Sequence, residues 1–349
     1  MIEKNYPPRL PDWISTGGDN FEVVIASEAL YIRNLVGSPF PDRLKVDDLK
    51  KTRRQFVDAT GELFSDYRFW ETDALDGAER KYLTERMSAP SELLKRSRGT
   101  GLFLTENEAS WLCLNTTDYL RFRFAIAGSN IETAYRNARN IEEELQQCLP
   151  FAYSDRYGFL TAKPAECGTG LMLRFLVHIP GVIFSNGFRN LRESLLKTGS
   201  VLRSVADEAM SSDGHLFVIQ TAHTLGIDEE EILTSAQNMI EGLIEKEYEA
   251  RDSLMTQARY QIEDRILRGI GVLTHARMIA CQEGYALANA LRLGAAEGIL
   301  NDTIDVMSAT ELFVVGQPAH LKVITGEGNR VIMDTHRADL FREYLNTEV

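Results

Sequence analysis

The sequence predicts an α+β fold that ends in an all-helical domain. Strand-like and helix-like patterns alternate up to about residue 255, without the regular strand–helix–strand rhythm of a doubly wound parallel sheet. From about residue 256 to residue 349 the pattern is almost wholly helical. With 349 residues, 44% of them hydrophobic, the chain is long enough for one large or two ordinary domains with proper cores. We therefore expect an irregular lead-in (1–20), an α+β domain (21–255) and a helical domain (256–349).

The charge and the composition argue against several classes of protein. A formal net charge of -13 has the wrong sign for a surface that binds nucleic acid or an anionic membrane. No apolar run approaches the roughly 18 residues that a membrane-spanning helix needs, and residues 1–4 do not resemble the start of a signal peptide. We expect a cytoplasmic protein with neither kind of partner.

Cysteine and histidine offer no independent chemistry. The four cysteines are widely separated, without a C-x-x-C pair, so we expect reduced thiols rather than disulfides. The histidines show no metal-ligand spacing, and we expect no metal site. His178, at the end of a predicted strand, is interpreted as a buried and hydrogen-bonded histidine.

The first half of the α+β domain shows strands and helices in turn. The expected elements are a short strand at 21–25, a mostly helical region at 46–86, and strands at 101–104 and 109–114. Glu108, in the turn between the last two strands, is expected at the surface. Apolar residues then recur every three or four positions from 131 to 145, which indicates an amphipathic helix with Asn130 as its N-cap.

The second half of that domain continues in the same manner. The expected elements are a strand at 171–177, a polar helical region ending near 198, and a strand pair at 201–205 and 215–220. Asp228 and Glu231 have the spacing of a capping box at the start of a long helix. We expect the charged stretch 245–251 at its end to be a solvated connector.

One stretch, YGFLTAKPAECGTGLMLRFLVHIP at 157–180, turns on glycine at 168–170 and then becomes strand-like. A loop rich in backbone N–H groups beside a strand is a common phosphate site, although G-T-G is also an ordinary turn. The wider string resembles the active-site strand of the phosphagen kinases (ATP:guanidino phosphotransferases), G-[YF]-L-T-x-C-P-T-N-x-G-T-G-L-R-A-S followed by H-[IL]-P. The string at 24–35 resembles their N-terminal motif, V-L-S-S-R-I-R-L-A-R-N-L.

The resemblance is closest to the bacterial protein-arginine kinases. The N-terminal motif lies too near residue 1 for the small helical domain that precedes it in metazoan phosphagen kinases. Segments at 261–265, 271–273 and 291–294 are similar to the helical C-terminal domain of the bacterial branch. The resemblance implies a large antiparallel sheet flanked by helices, followed by a helical domain used for dimerisation and docking.

The sequence differs from the family at the positions that carry its chemistry. Phosphagen kinases place five arginines around the nucleotide phosphates and use a glutamate as base. The residues at three arginine positions, at the base and at the cysteine of C-P-T-N are here Glu28, Leu30, Met172, Thr117 and Lys163. A threonine hydroxyl cannot accept a guanidinium proton at neutral pH. Lys163 places a positive charge where the substrate guanidinium would lie.

Two arginines of the family's set remain, Arg121 and Arg203. Side chains alternate along a strand, so Arg174 lies on the same face as Met172, about 7 Å further on. Arg174 therefore either restores one cation to the site or pairs with a nearby acid such as Glu166.

Two functions follow from the resemblance. The first is a pseudokinase, a dimeric adaptor or regulator that no longer transfers phosphate and needs no cofactor. The alternative is an active protein-arginine kinase with a rebuilt site, which would use Mg-ATP and mark proteins for Clp-type proteolysis. The resemblance also implies a zinc-binding activator protein and a Clp-type unfoldase as partners.

The helical domain contains a second candidate site. Protein-arginine kinases have R-D-x-x-R where this chain has Met333, Asp334 and Arg337, and they use it to bind phosphoarginine. Asp334 and Arg337 are three positions apart on a predicted helix, so a plain surface ion pair is the alternative. The apolar residues expected at a homodimer interface are Ile262, Ile266, Ile270, Leu273, Leu287, Leu291 and Leu300.

Overall fold

The computed structural model describes residues 10–96, 98–204 and 214–345. The strands in these ranges are β1 (Val24–Arg33), β2 (Tyr67–Glu71), β3 (Gly101–Thr105), β4 (Ser110–Leu114), β5 (Leu120–Ala127), β6 (Tyr153–Ser154), β7 (Gly158–Phe159), β8 (Leu171–His178), β9 (Ser200–Ser204) and β10 (Leu216–Thr221). Eight of them form one antiparallel sheet in the order β2-β3-β4-β5-β1-β8-β10-β9, and β6 and β7 form a separate two-stranded ribbon.

Helices flank this sheet and make up the C-terminal region. They are α1 (Asp12–Ser15), α2 (Val46–Thr60), α3 (Gly77–Glu85), α4 (Glu92–Lys95), α5 (Ile131–Cys148), α6 (Pro180–Phe184), α7 (Phe188–Lys197), α8 (Glu229–Gln257), α9 (Arg259–His275), α10 (Cys281–Ala296), α11 (Val306–Val315), α12 (Pro318–Thr325) and α13 (Arg330–Glu343). The predicted α+β class with a large antiparallel sheet and a helical C-terminal region is confirmed. None of the described helices is long and apolar enough to cross a membrane.

The helix caps predicted from the sequence are present at the starts of α5 and α8. The Asn130 side chain accepts a hydrogen bond from the backbone N–H of Thr133, 3.1 Å away, and α5 follows. Asp228 and Glu231 form the expected capping box at the start of α8. The apolar faces of α5 and α8 share a hydrophobic core with one face of the sheet, where Tyr31 stacks on Phe122. That face is therefore closed to ligands.

The helical C-terminal region packs directly onto the other face of the sheet. Ile25, Leu176 and Leu216 of the sheet belong to the same buried cluster as Leu291 and Phe313 of the C-terminal helices. The C-terminal helices thus cover one end of this face, and Tyr82 and Leu93, from α3 and α4, pack on Leu102 and Trp111 at the other end.

Several sequence expectations were wrong. The lead-in contains α1, with Trp13 and Ile14 buried. The first strand is β1, which spans the motif itself instead of ending before it, and β2 and β5 were not expected. The segment 205–213 lies outside the described residues, so the predicted strand at 201–205 is tested only up to residue 204.

The charged stretch 245–251 is solvated only in part, since Glu245, Lys246 and Glu249 are exposed but two other charged residues are not. Glu247 and Arg251 are both buried, and their side chains form an ion pair at 2.7 Å. The Glu247 carboxylate accepts hydrogen bonds from the backbone N–H groups of Gly181 and Val182 at the start of α6. Charged residues can therefore be internal where each one has partners.

The apolar residues named for a homodimer interface lie inside the chain. Six of the seven are buried in the cluster that joins the C-terminal helices to the sheet, and Ile270 is packed against it. They stabilise the single chain, so they carry no argument for an interface.

Candidate functional site

A cleft of about 560 Å³ opens on the face of the sheet that the C-terminal helices partly cover. Strands β1, β4, β5, β8, β9 and β10 contribute to its floor, and residues 81–94 and 317–318 contribute to its walls. Six cationic residues line it, which are Lys81, Arg121, Arg123, Lys163, Arg174 and Arg203. Glu85, Glu92 and Glu166 line it too, so the cations outnumber the acids in a chain with a net charge of -13, and this excess is suited to an anionic ligand.

Strand register brings the predicted site residues together. Leu30 on β1 is opposite Arg123 on β5 and Met172 on β8. Glu28, two residues earlier on the same face, is opposite Arg174. Leu30, Met172 and Arg174, predicted from sequence to lie near one another, therefore share the floor of the cleft.

Glu28 is buried and paired with two cations. Its Oε1 accepts a hydrogen bond from Nη1 of Arg123 at 2.7 Å, and its Oε2 lies 3.3 Å from Nη1 of Arg174. Only 1% of Glu28 is exposed. Burial lowers the pKa of the Arg123 guanidinium, Glu28 opposes that effect, and Arg174 adds to it. Glu28 thus offsets the charge of the cleft instead of projecting into it.

Arg174 does not pair with Glu166, as one sequence interpretation had it. Its carboxylate partner is Glu28, while Glu166 pairs with Arg121 at 2.9 Å and with Lys163 at 3.0 Å. The side chain of Arg174 keeps 23% of its surface exposed and lines the cleft. It is a cation of the cleft whose charge is already partly compensated.

Arg121 is held by three carboxylates from three segments. Glu92 on α4 lies 2.8 Å away, Glu166 lies 2.9 Å away, and Asp118 lies 3.2 Å away. Burial alone would lower the pKa of Arg121, but the three acids outweigh it and raise that pKa. A ligand would have to compete with these acids for the guanidinium.

The position of the expected base carries no carboxylate. Thr117 is half-buried, and Thr116 is buried with a hydroxyl that has no hydrogen-bond partner among the described residues. The neighbouring Asp118 is fully engaged, since its Oδ1 accepts hydrogen bonds from the Asn34 amide and the Ala162 N–H, and its Oδ2 accepts one from Arg121. None of the three can act as a free base here.

Sequence reasoning missed Arg123 and misplaced Glu108. Arg123 follows Arg121 by two positions, so strand alternation alone would have placed both on the cleft face. Glu108 is buried, not at the surface, and pairs with Arg86 at 2.5 Å. Its backbone carbonyl accepts a hydrogen bond from Nη2 of Arg123. The retained Arg203 is exposed on β9 and lines the same cleft.

Asp334 and Arg337 form an ion pair at 2.6 Å, but a buried one, not the surface pair of the alternative interpretation. Arg337 also donates hydrogen bonds to the backbone carbonyls of Gly316 and Ile279, at 2.7 and 2.6 Å. These contacts join α13 to the segments before α10 and α12. A phosphoarginine ligand would have to displace them, and the binding role stays a prediction.

Metal-ligating residues do not cluster in the part of the chain that the structure describes, where no group of three or more His, Cys, Asp or Glu could hold an ion. His178 is buried and hydrogen-bonded on both ring nitrogens, to Asn289 at 2.7 Å and to Arg292 at 2.8 Å. This agrees with its interpretation as a satisfied internal histidine.

The chain is similar to one family along nearly its whole length. Residues 49–250 match the ATP:guanido phosphotransferase C-terminal catalytic domain, and residues 259–349 match the protein-arginine kinase McsB C-terminal domain. The protein-arginine kinase of Halothermothrix orenii is 30% identical over 348 residues, covering 99% of this chain and 98% of that protein. The protein-arginine kinase of Symbiobacterium thermophilum is 32% identical, covering 96% of each.

Solved structures share the fold at lower identity. The substrate-free duplicated taurocyamine kinase from Schistosoma mansoni has a TM-score of 0.56 at 20% identity, covering 65% of this chain and 33% of that chain. A lombricine kinase has a TM-score of 0.56 at 17% identity, covering 71% of this chain and 75% of that one. At these identities the likeness supports the fold alone.

Proposed function

Since this chain belongs to the bacterial protein-arginine kinase branch of the phosphagen kinase superfamily, we propose that it is a cytoplasmic pseudokinase of that branch. It keeps the family's fold for binding and assembly, as an adaptor or regulator, and does not transfer phosphate. No cofactor is required for this role.

The observation that carries the proposal is the buried carboxylate of Glu28 between Arg123 and Arg174. Phosphoryl transfer depends on cations that are free to stabilise charge on the transferred group and its oxygens. Here two cleft arginines are compensated by Glu28, and Arg121 is compensated by three acids. A single arginine can be worth about 10³ to 10⁵ in rate, or roughly 4 to 7 kcal/mol.

The absence of a catalytic base also supports the assignment as a pseudokinase. The substrate guanidinium must lose a proton as it attacks, and neither Thr116 nor Thr117 can accept one at neutral pH. The ammonium of Lys163, held at the cleft by Glu166, would also repel a guanidinium. The rate losses from the compensated arginines and from the missing base are not additive, but both raise the energy of the same transition state.

Purified protein is expected to transfer no phosphate from ATP to arginine on an arginine-rich protein. The assay measures acid-labile radiolabel on the acceptor, with heat-killed protein as the negative control and the Halothermothrix orenii kinase as the positive control. Label above the heat-killed level would refute the pseudokinase. Calorimetric saturation with Mg-ATP at low micromolar concentration would also count against it, because compensated arginines leave little net attraction for phosphates.

An active kinase remains the second candidate, and the cleft itself favours it. Arg121, Arg174 and Arg203 line one space together with Arg123 and Lys163, and the similar proteins are named protein-arginine kinases. If the acids moved away from these side chains, Mg-ATP phosphates could be held there. The protein would then mark others for Clp-type proteolysis, together with a zinc-binding activator and a Clp-type unfoldase.

A homodimer formed through the helical C-terminal domain is part of the proposal. Although the apolar residues first named for it are internal, α9 exposes other ones. Tyr260 is 83% exposed and Leu267 is 55% exposed, and a spacing of seven places both on the same side of the helix. These two residues are the proposed centre of the interface.

Light scattering is expected to give twice the chain mass of 39.3 kDa at micromolar concentration. Leu267→Glu should shift the protein toward the monomer, because a charge in an apolar contact must be desolvated without a partner. Leu196→Glu is the matched control, since Leu196 is equally exposed at 57% but lies on α7. Monomeric wild type, or equal effects of both variants, would exclude this interface.

A further inference from the structure

We infer that the carboxylate of Glu28 is a built-in anion that closes a latent site for a small tetrahedral oxyanion between Arg123 and Arg174. This inference rests on the proposed function, because it explains how the cleft stays compensated without a ligand. Glu28 would then occupy the anion site itself, besides standing where the family has an arginine.

The two arginines form a cradle from neighbouring strands. Glu28 stands on β1, Arg123 on β5 and Arg174 on β8, so the carboxylate is held from both sides. Arg123 is also fixed from elsewhere, since its Nη2 donates to the Glu108 carbonyl at 3.1 Å and its guanidinium lies 5.7 Å from the Trp111 ring. Removing the carboxylate would leave Arg123 in position.

The cradle has more donors than a carboxylate uses. The Nε atoms of Arg123 and Arg174 are buried and have no hydrogen-bond partner among the described residues. The contact between Arg174 and Oε2 of Glu28 is an ion pair at 3.3 Å, and that oxygen accepts no hydrogen bond within the same residues. A tetrahedral oxyanion presents more oxygens than a carboxylate and could use the spare donors.

Charge and access support the same site. Without Glu28, two guanidinium groups would share a largely buried space with no anion between them, which a low local dielectric makes costly. Arg123 and Arg174 both line the cleft, but only the Arg174 side chain is partly exposed, so an anion would enter past Arg174. The site would therefore recruit an external anion once the internal one is removed.

The test uses Glu28→Gln in the full chain, with inorganic phosphate as the probe. Thermal unfolding is followed as phosphate rises to 20 mM, with sodium chloride at matched ionic strength to remove screening effects. Phosphate should raise the Tm of Glu28→Gln but not that of the wild type, which corresponds to at least a tenfold gain in phosphate affinity. Equal responses of the two proteins would overturn the inference.

The matched control is Glu142→Gln. Glu142 is another buried glutamate, paired with buried Arg33 at 2.9 Å on the face of the sheet away from the cleft. Its replacement also removes the carboxylate partner of a buried arginine but should create no phosphate response. A response as large as that of Glu28→Gln would mean that any unpaired arginine suffices, which would refute the site.

Two further outcomes are decisive if Glu28→Gln does not fold in phosphate-free buffer. Recovery of the folded signal as phosphate is added would support the inference, whereas an unfolded protein at every phosphate concentration would contradict it. Glu28→Gln combined with Arg174→Gln restores the charge balance, so it should fold without phosphate and show no response to it.

Failure of this inference is distinguishable from failure of the proposed function. Wild type that transfers phosphate from ATP would refute the pseudokinase, whatever the variant does. Inert wild type together with a Glu28→Gln variant that ignores phosphate would refute only the role of Glu28 as an internal anion.

Discussion

Replacing Arg292 by methionine is expected to lower the free energy of unfolding by about 3 to 5 kcal/mol, since each buried acceptor left unpaired costs about 1 to 3 kcal/mol. Arg292, on α10, is completely buried. It donates to the Thr310 hydroxyl and to the Glu22 carbonyl, each at 2.7 Å, and also to the Phe21 carbonyl. Its Nη1 lies 2.8 Å from Nδ1 of His178 on β8.

The charge states of Arg292 and His178 are consistent with these hydrogen bonds. Burial lowers the pKa of His178 well below its usual value, and the charge of Arg292 lowers it further, so the ring is neutral at pH 7. A neutral ring can accept from Arg292 at Nδ1 and donate from Nε2 to the Asn289 oxygen. Arg292 therefore ties the C-terminal helices to the strand that carries Met172 and Arg174.

Urea unfolding of wild type and Arg292→Met, followed by circular dichroism, measures the loss. Arg268→Met is the matched control, because the Arg268 side chain is 78% exposed and its ion pair with Asp264 spans 3.9 Å. Such a surface change should stay within about 0.5 kcal/mol of the wild type. A loss below about 1 kcal/mol in Arg292→Met would show that the buried acceptors find other partners.

The sequence predicted the fold well where local chemistry decides it. Helices α5 and α8 begin at the predicted caps, because the side chains of Asn130 and Asp228 satisfy nearby backbone N–H groups in any fold. Strand β8 was located by its turn and its apolar run. Strand β5 was missed because it contains two buried arginines, Arg121 and Arg123, whose partners are distant in sequence. Strand β2 is a five-residue strand with exposed charged residues and no strict alternation, so its sequence does not distinguish it from the helical region around it.

The structure places six of the predicted positions in one cleft, but their electrostatics were not foreseeable. These six are Leu30, Arg121, Lys163, Met172, Arg174 and Arg203. Glu28 and Arg123 are 95 positions apart, and only the register of β1 against β5 makes them partners. Glu92 reaches Arg121 from α4, and Glu166 reaches it from the segment between β7 and β8. The family motif shows which charged residues this chain lacks. The pairing of side chains in the folded protein decides which of the remaining cations are free to bind a ligand.

A buried carboxylate also joins the helical region to the wall of the cleft. Glu85, the last residue of α3, accepts hydrogen bonds from the backbone N–H groups of Ala319 and His320, at 2.9 and 3.2 Å, at the start of α12. The ammonium of Lys81 lies 3.7 Å away and is largely exposed. Burial nevertheless raises the pKa of Glu85 to about 7, against the opposing effects of Lys81 and the two N–H groups.

Glu85 should therefore make stability depend on pH in a defined direction. Because its pKa is higher in the folded state than the usual 4.5, its favourable contribution is complete below pH 4.5 and is lost as the pH rises through about 7. Glu85→Gln stays neutral and keeps an acceptor for α12, so its stability relative to wild type should increase by about 3 kcal/mol between pH 4.5 and pH 8. Urea unfolding across that range measures the difference, with Glu132→Gln, at a glutamate whose side chain is 52% exposed, as the surface control. A difference for Glu85→Gln no larger than that of the control would mean that Lys81 and the N-terminus of α12 fully offset the burial of the charge.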